Sequence, residues 1–391
     1  MKYGLLYYKD TDNIGDDIQS YAAARFLPRI DYMIDRENIE SFVPEKKEYV
    51  YTIMNAWYIH DNYNFNFSPY IYPLFVSMFF KKFPYENGIT YGIDYLNDEI
   101  IFDLKKYAPV GARDIHTKKI FDKLGIDNYF SGCMTLTIEK FSNVKKEDYI
   151  VVVGLNNDEI NYIKSNTDRP IKVVKQDVKR GSFSDETWKS RKERVEKILK
   201  IYQGAHMVIT NKLHCSLPCL ALETPVLLLY DKSFSENKDR IGTYLDYLNH
   251  VDRDKFINTN IDFENPKSNP KEYLKLRRQL IKKCNHFILN KNEEDFNKLP
   301  DIDEYIVNVN KAIASRQPII KNLEKTARRY VKKCEENSKL EYEIGDLKYQ
   351  YNILKNRHDE LVYRISMIEN SRSYKLYLKM SKILKKLRIK K

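Results

Sequence analysis

The sequence predicts an α/β fold made of two Rossmann-like domains and a helical C-terminal extension. Short apolar runs rich in Val, Ile and Leu alternate with helix-length segments, which is typical of parallel sheets covered on both faces. The alternation begins twice, at YGLLYY (3–8) and at YIVVVGL (149–155), and the stretch 141–148 separates the two series. The chain has 391 residues, 42% of them apolar, and is therefore long enough for more than one core.

The changes in pattern along the chain predict five regions. The two α/β series define the first two, and a shift towards Lys, Glu and Asn marks the rest. The regions are an N-terminal domain at 1–145, a second domain at 146–260, a helical region at 261–338, a coiled coil or long amphipathic helix at 339–369, and a basic amphipathic tail at 370–391.

In the first predicted domain, a strand leads through a polar loop into a helix that ends before Pro28. Gly15 allows the loop a conformation that other residues avoid, and Asp16 or Asp17 is suited to cap the helix. The predicted strands lie at 3–8, 49–55, 89–94 and within 108–114, and the predicted helices at 18–27 and 115–125.

The second predicted domain contains a βαβ unit, whose strands are expected to be parallel. Its middle helix is LHCSLPCLALE, which lies between the apolar runs MVIT and PVLLLY. The predicted strands lie at 149–155, 171–177, 207–210 and 225–230, and the predicted helices near 158–165, at 185–203 and at 213–223.

Two junctions between a strand and a helix carry candidate ligand-binding residues. Asn211, Lys212 and His214 follow a strand and precede a helix, where open α/β sheets bind ligands and a helix N-terminus favours an anion. Arg113 stands at a similar junction, where its guanidinium group is suited to hold an anion in a bidentate manner. Structural alternatives remain for both sites, namely that His214 caps the helix and that Arg113 forms an ion pair with Asp114 or another carboxylate.

Three motifs in this order resemble the polysaccharide pyruvyl transferases over about residues 1–250. The first contains Asn13, Gly15, Asp16 and Gln19, the second is GARD followed by SGCMTLT, and the third is NKLHCSLPCLALETPVL. The resemblance implies a fold like that of GT-B glycosyltransferases. It also implies transfer of the enolpyruvyl unit of phosphoenolpyruvate to a sugar diol of a cell-surface polysaccharide or its lipid-linked precursor, as a cyclic ketal, with no cofactor or metal.

The resemblance also suggests roles for individual residues, with the acceptor on the first domain and the donor on the second. Arg113 and His214 are expected in the phosphoenolpyruvate site with Asn211 and Lys212. His214 is the candidate acid, because the C3 methylene must gain a proton, and Asp16 or Asp17 is the candidate base. Asn13, Gly15, Asp17 and Gln19 are expected on the acceptor side. Lys212 stands where many members of the family have Arg. Ala56 stands where Gly is expected.

Two other functions remain open from the sequence. A GT-B glycosyltransferase using a nucleotide-sugar needs a base and ribose site in the second domain, and Glu223 is a poor match to its usual Glu. A non-catalytic scaffold in surface-glycan assembly requires that the cleft residues be idle.

The region from Leu340 predicts a coiled coil of about four heptads and a possible homodimer through residues 340–368. The alternative is an amphipathic helix packed on its own chain. The apolar seam, in which steps of four and three residues alternate, comprises Ile344, Leu347, Tyr351, Leu354, His358, Leu361, Ile365 and Ile368.

The C-terminal tail carries most of the net charge. Nine Lys or Arg and no acid lie between Arg372 and Lys391, which leaves about +3 of the net +12 for the rest of the chain (12 minus 9). As a helix, the tail has Leu376, Met380 and Leu387 on one face, which predicts binding to an anionic membrane surface. No base-reading motif accompanies this charge, so nucleic acid is not expected as a partner; the alternative is a solvated charged end.

Localisation is predicted from cysteine usage and hydropathy. Five scattered cysteines favour a reducing compartment, and neither a signal peptide nor a sufficiently long apolar run is evident. The sequence therefore predicts a cytoplasmic protein, peripheral at the inner face of the plasma membrane.

Overall fold

The computed structural model describes two compact units of the chain. The core unit comprises Met1–Glu37, Glu48–Tyr58 and Ile71–Lys298, and the C-terminal unit comprises Asn38–Lys47, Ile59–Tyr70 and Leu299–Lys391. The described residues are 1–46, 48–58, 65–80, 96, 98–233, 239–290 and 341–388, with six single positions between 307 and 326.

The first sheet of the core unit has four parallel strands in the order β2-β1-β3-β5. All four central residues of β1 are buried, as expected for a strand covered on both faces. Pro73 lies in β5 at the edge of the sheet, where its missing N–H interrupts no ladder. The strands are β1 (Lys2–Tyr7), β2 (Tyr32–Asp35), β3 (Val50–Ile53) and β5 (Ile71–Leu74).

Two short parallel pairs and three helices complete the first half. The strands β4 (Trp57–Tyr58) and β6 (Phe79–Phe80) pair with each other, as do β7 (Val110–Ala112) and β8 (Asn128–Phe130). The helices are α1 (Ile14–Ala24), α2 (Asp98–Lys106) and α3 (Ile115–Lys123).

The second sheet has five parallel strands in the order β10-β9-β11-β12-β13. The strands are β9 (Ile150–Val153), β10 (Ile171–Val174), β11 (Met207–Thr210), β12 (Val226–Tyr230) and β13 (Asn249–Asp252). The helices are α4 (Asn157–Lys164), α5 (Trp188–Gly204), α6 (Leu213–Ala221) and α7 (Tyr273–Leu289). The prediction of mixed α/β structure with parallel sheets is confirmed.

Each sheet has a point at which the strand order reverses. In the first sheet it lies between β1 and β3, and in the second between β9 and β11. Loops leaving the carboxyl ends of two such strands diverge and leave a crevice in which α/β proteins bind ligands. The fold therefore offers two crevices of this kind, one in each sheet.

The two sheets share one hydrophobic core within the core unit. Leu5 and Ile18 from the first series belong to the same cluster as Val151 and Leu217 from the second. Helix α1 packs against α5 and α6, and the 3₁₀ helix Met134–Thr137 packs against α1, α6 and α7. Separate domains at 1–145 and 146–260 stay a prediction.

Helix α1 corrects the predicted helix start. It begins at Ile14 rather than 18, and its N-cap is Asn13, whose side chain accepts a hydrogen bond from the Gly15 N–H. Asp16 and Asp17 consequently lie in the first turn and do not cap it. The strands β2, β5 and β13 were not predicted, whereas the predicted strand at 89–94 lies outside the described residues, as does most of the helical region after 290.

The C-terminal unit contains the long helix α8 (Glu341–Asn370) and the basic helix α9 (Arg372–Arg388). The seam of α8 is buried within the single chain, with Leu354 fully buried and Leu361 only 2% exposed. Tyr70 packs against Leu361 and Ile365. This burial favours the helix packed on its own chain, and the coiled-coil homodimer stays a prediction. No helix among the described residues is long and apolar enough to cross a membrane.

Candidate functional site

Arg113 is a buried cation with unsatisfied hydrogen-bond donors. It follows β7, is 1% exposed, and lies with its Cζ 4.5 Å from the centre of the Phe79 ring. Its Nη1 donates to Gln19 Oε1 at 2.7 Å, whereas Nε and Nη2 have no hydrogen-bond partner among the described residues. Buried donors are nearly always paired, so two unpaired N–H groups on one guanidinium indicate a place for an anion.

His214 lies in the first turn of α6 and packs against Gly15. A Cβ atom at Gly15 would come within 2.9 Å of both Cβ and Nδ1 of His214, so only glycine fits there. The backbone of Lys212 is the N-cap of α6, and the predicted alternative that His214 caps the helix is therefore wrong. His214 Nε2 is buried, and it neither donates nor accepts a hydrogen bond within the described part of the chain.

The charges around His214 determine its protonation state. Burial, followed by the positive charges of Arg113 and Arg240, holds the pKa of His214 well below its usual value. The imidazole is therefore neutral at pH 7 when no anion is bound. His214 can therefore act as the acid predicted from the sequence only if negative charge that enters the site raises its pKa.

Arg240 and Asp114 belong to this site but carried no recognised signal for it. Arg240 lies with its Cζ 5.0 Å from the centre of the Trp57 ring. Asp114 caps α3 by accepting a 2.7 Å hydrogen bond from the Thr117 N–H, and so does not form the predicted ion pair with Arg113. Burial raises the pKa of Asp114 to about 6, although the Thr117 N–H and Arg113 act in the opposite direction. A polar residue before an apolar helix is a capping signal that could have revealed Asp114.

Asn211 and Lys212 lie at the crevice between β9 and β11. Gly154 follows β9 and has a φ of +74°, and a Cβ atom there would be 2.0 Å from Asn211 Oδ1 and 3.2 Å from Lys212 Cε. Asn211 Oδ1 is buried and has no partner among the described residues. Lys212 Nζ donates to Asp177 Oδ1 at 2.8 Å, so an incoming anion has to compete with this exposed pair.

Asp16 is connected to Arg113 through Gln19. The Gln19 side chain accepts from Arg113 and its Nε2 donates to Asp16 Oδ1 at 3.3 Å. Thr11 Oγ1 donates to the other carboxylate oxygen of Asp16 at 2.9 Å, and Arg36 Nη1 lies 3.6 Å from Asp16 Oδ1. The first motif is thereby linked to the second by hydrogen bonds and to the third by the packing of Gly15 on His214.

Asp17 is not part of the site. The predictions that it lies on the acceptor side and that it is a candidate base are both wrong. Its carboxylate is fully buried, with Arg191 Nη1 at 3.0 Å and Arg194 Nη2 at 2.9 Å. Arg191 is also fully buried and donates to the carbonyl oxygen of Tyr8 at 3.0 Å. Asp17 therefore joins α1 to α5 and is inaccessible to a sugar.

We expect Asp17→Asn to lower the free energy of unfolding by about 3 kcal/mol, because it leaves a buried guanidinium without its carboxylate. Denaturant unfolding of the full chain measures this value. Asp16→Asn is the matched control, since Asp16 is the neighbouring acid but is not fully buried. Equal stability of Asp17→Asn and wild type would contradict the structural role of the Asp17 pair.

The sequence model of the family described as Polysaccharide pyruvyl transferase matches residues 13–233, more than half of the chain. This range includes every site residue predicted from the motifs, whereas Arg240 lies beyond it. No curated protein matches the chain significantly.

Solved structures similar to the chain have low identity to it. An uncharacterized protein from Klebsiella pneumoniae has a TM-score of 0.40 and 10% identity, covering 64% of this chain and 92% of that chain. A UDP-GlcNAc 2-epimerase from Methanocaldococcus jannaschii has a TM-score of 0.35 and 11% identity, covering 72% and 99%. The wall teichoic acid polymerase TagF has a TM-score of 0.33 and 10% identity, covering 83% and 90%.

Proposed function

The chain belongs to the polysaccharide pyruvyl transferase family and is therefore a transferase, and we propose that its donor is phosphoenolpyruvate. The acceptor is a sugar diol of a cell-surface polysaccharide or of its lipid-linked precursor, and the product is a pyruvate ketal. The observation that carries the donor assignment is the buried Arg113 guanidinium, whose unpaired N–H groups lie close enough to His214 to depress its pKa.

Phosphoenolpyruvate suits the charge and the donors of this site. It carries a carboxylate and a phosphate, and Arg113 offers two N–H groups in a fixed fork. Arg240 and the N-terminus of α6 add positive potential beside the same histidine. Lys212 supplies a further charge once it leaves Asp177. A negative ligand would relieve the repulsion that Arg113 and Arg240 exert on a protonated His214.

The transfer requires that His214 gain a proton before it can donate one. Negative charge on the donor offsets Arg113 and Arg240, which raises the pKa of His214 from its lowered value in the free protein. In the proposed reaction His214 gives its proton to C3, and a sugar hydroxyl oxygen bonds to C2. The C2–O bond to phosphate breaks, and the second hydroxyl oxygen completes the ketal at C2. Of the two hydroxyl protons, one replaces that lost by His214 and one leaves with phosphate.

Asp16 is the proposed acceptor for a hydroxyl proton. Its side chain is only partly buried and is oriented by Thr11 and Gln19. No group of three or more His, Cys, Asp or Glu side chains suited to a metal lies among the described residues. The resemblance to the family implies no cofactor, and the proposal uses none.

Phosphate release from phosphoenolpyruvate tests the function directly. The full chain is incubated with the donor and a panel of free and lipid-linked glycans, and both phosphate and the glycan product are measured. Acceptor-dependent release with a ketal on the glycan supports the proposal. Consumption of a nucleotide-sugar, with no phosphate released from phosphoenolpyruvate in the presence of any acceptor, would instead support a glycosyltransferase.

An anionic membrane at the inner face of the plasma membrane is the proposed partner of α9. Leu376 and Met380, one helical turn apart, are 60% and 56% exposed. Lys375, Lys379 and Lys382 are also exposed, and no acidic residue follows Arg372. Apolar and basic side chains on one exposed helix are typical of binding at the lipid surface. Such binding would hold the enzyme near lipid-linked acceptors.

We expect replacement of these three lysines by Gln to reduce co-sedimentation with anionic liposomes in low salt, because each contributes about 1 kcal/mol near the surface. A chain ending at Asn370 should not sediment, while turnover of a soluble acceptor is unchanged. Replacement of Lys189, Lys192 and Lys197, which are exposed on α5, is the matched control. Equal sedimentation of wild type and both α9 variants would remove the membrane role.

A further inference from the structure

A small pocket of the core unit lies at the strand reversal of the first sheet, and its volume of about 10 Å³ has room for one water-sized group. The residues that line it come from the end of β1, from α1 and from the loop after β3, and they include Tyr7, Asp16, Gln19, Arg36, Asn55 and Ala56. This is the crevice that the order of β1 and β3 creates, and it is distinct from the loops of β9 and β11. The pocket therefore occupies a ligand-binding position of its own.

Asn55 presents an unused acceptor to this pocket. It is 3% exposed, and its Nδ2 donates to the carbonyl oxygen of Gln19 at 3.2 Å. This hydrogen bond fixes the amide plane, while Oδ1 is buried and has no hydrogen-bond partner in the part of the chain that the structure describes. A buried amide oxygen without a partner costs stability unless a ligand donates to it.

Hydrogen bonds connect the residues that line the pocket to the proposed donor site. Asp16 and Gln19 line the pocket, and Gln19 also accepts from Arg113 Nη1. A group bound beside Asn55 and Asp16 would therefore lie next to the residue that holds the donor. Two substrates of one transfer reaction need such neighbouring sites.

We propose that this pocket receives one hydroxyl group of the acceptor sugar, whose hydrogen bond Asn55 Oδ1 or the Asp16 carboxylate accepts. This inference rests on the proposed function, for which it supplies the acceptor subsite. Both acceptors are oxygen atoms that can accept a hydrogen bond from a sugar hydroxyl group, and Tyr7 also lines the pocket. Ala56 lines the same pocket, so the methyl group that replaces the expected glycine narrows the space for the sugar.

Asn55→Leu and Asn55→Asp separate the ligand-binding role from a structural one. Leu removes both the oxygen and the N–H that donates to Gln19, whereas Asp keeps the acceptor oxygen, replaces the NH₂ group by a second oxygen and adds a negative charge. If Oδ1 binds the sugar, the acceptor KM rises about tenfold in Asn55→Leu and less than about threefold in Asn55→Asp, with the KM for phosphoenolpyruvate unchanged. A purely structural role predicts equal losses in both variants and would overturn the proposal.

Saturation-transfer difference NMR tests the pocket without turnover. The probes are the methyl glycosides of glucose, galactose and mannose with their 4-deoxy and 6-deoxy analogues, each added to the full chain. We expect wild type to bind at least one parent sugar more tightly than its deoxy analogues, and Asn55→Leu to lose this preference. Binding of none of the sugars by wild type would overturn the proposal.

Asn128→Leu is the matched control for these measurements. Asn128 also has a buried Oδ1 without a partner among the described residues, and its Nδ2 donates to Asp122, but it does not line the pocket. Sugar binding that depends on Asn55, in a protein that never releases phosphate from phosphoenolpyruvate, would refute the function and keep the pocket. Normal turnover with an unchanged acceptor KM in Asn55→Leu would refute the pocket and keep the function.

Discussion

Arg113→Met should abolish transfer and leave the protein at least as stable as wild type. The guanidinium is 1% exposed, has two N–H groups without hydrogen-bond partners among the described residues, and shares its surroundings with Arg240. An apolar side chain of similar length removes this buried charge, and such replacements are often neutral or stabilising. The donor loses its main anchor, so we expect turnover to fall by at least about 10³-fold.

Arg191→Met is the matched control, because Arg191 is equally buried but donates hydrogen bonds from both Nη1 and Nη2, which leaves only its Nε without a partner among the described residues. It pairs with Asp17 and donates to backbone carbonyl oxygens, including that of Tyr8. We expect Arg191→Met to lose about 3–5 kcal/mol of unfolding free energy, in contrast to Arg113→Met. Denaturant unfolding and phosphate release are measured for both variants. A strongly destabilised Arg113→Met, or one that retains turnover, would contradict the assignment of Arg113 as an anion-binding residue.

His214→Gln should bind phosphoenolpyruvate and fail in turnover. Gln retains polar atoms near the position of the ring but cannot donate a proton at neutral pH, so the chemical step should slow by about 10²–10⁴-fold. The affinity of wild type for the donor should increase as pH falls, because His214 takes up a proton on binding. This dependence holds between the pKa of His214 in the complex and its lowered pKa in the free protein.

The variant supplies the control for the ionisation of the donor itself. Any pH dependence that remains in His214→Gln belongs to the donor or to other groups, and the difference from wild type belongs to His214. Loss of donor binding in His214→Gln would make His214 an anion ligand rather than the acid.

The parts of the fold that could be predicted are those with local signals. The runs MVIT and IVVV are apolar and β-branched, and they are the buried strands β11 and β9. Placement of Arg113, Asn211 and His214 at the ends of strands followed from the alternation of strands and helices alone. The edge strand β13 was missed because Asn249–Asp252 contains one apolar residue in four, so its pairing with β12 decides its structure.

The parts that could not be predicted depend on distant contacts. Asp17 is adjacent to Asp16 and similar in chemistry, but its partner Arg191 lies 174 positions further along the chain. The protonation state of His214 depends on Arg240, which follows a segment with no motif. The apolar spacing of α8 predicted a coiled coil because a helix packed on its own chain has the same spacing.

Calorimetric titration of the full chain with phosphoenolpyruvate, without acceptor, most directly tests the claim that Arg113 and His214 form the donor site. The titration is made at pH 7 in two buffers of different ionisation enthalpy, for wild type, Arg113→Met and His214→Gln. We predict one binding site in wild type, no binding in Arg113→Met, and a proton uptake in wild type that exceeds that of His214→Gln. Equal binding by wild type and Arg113→Met, or equal proton uptake by wild type and His214→Gln, would contradict the account.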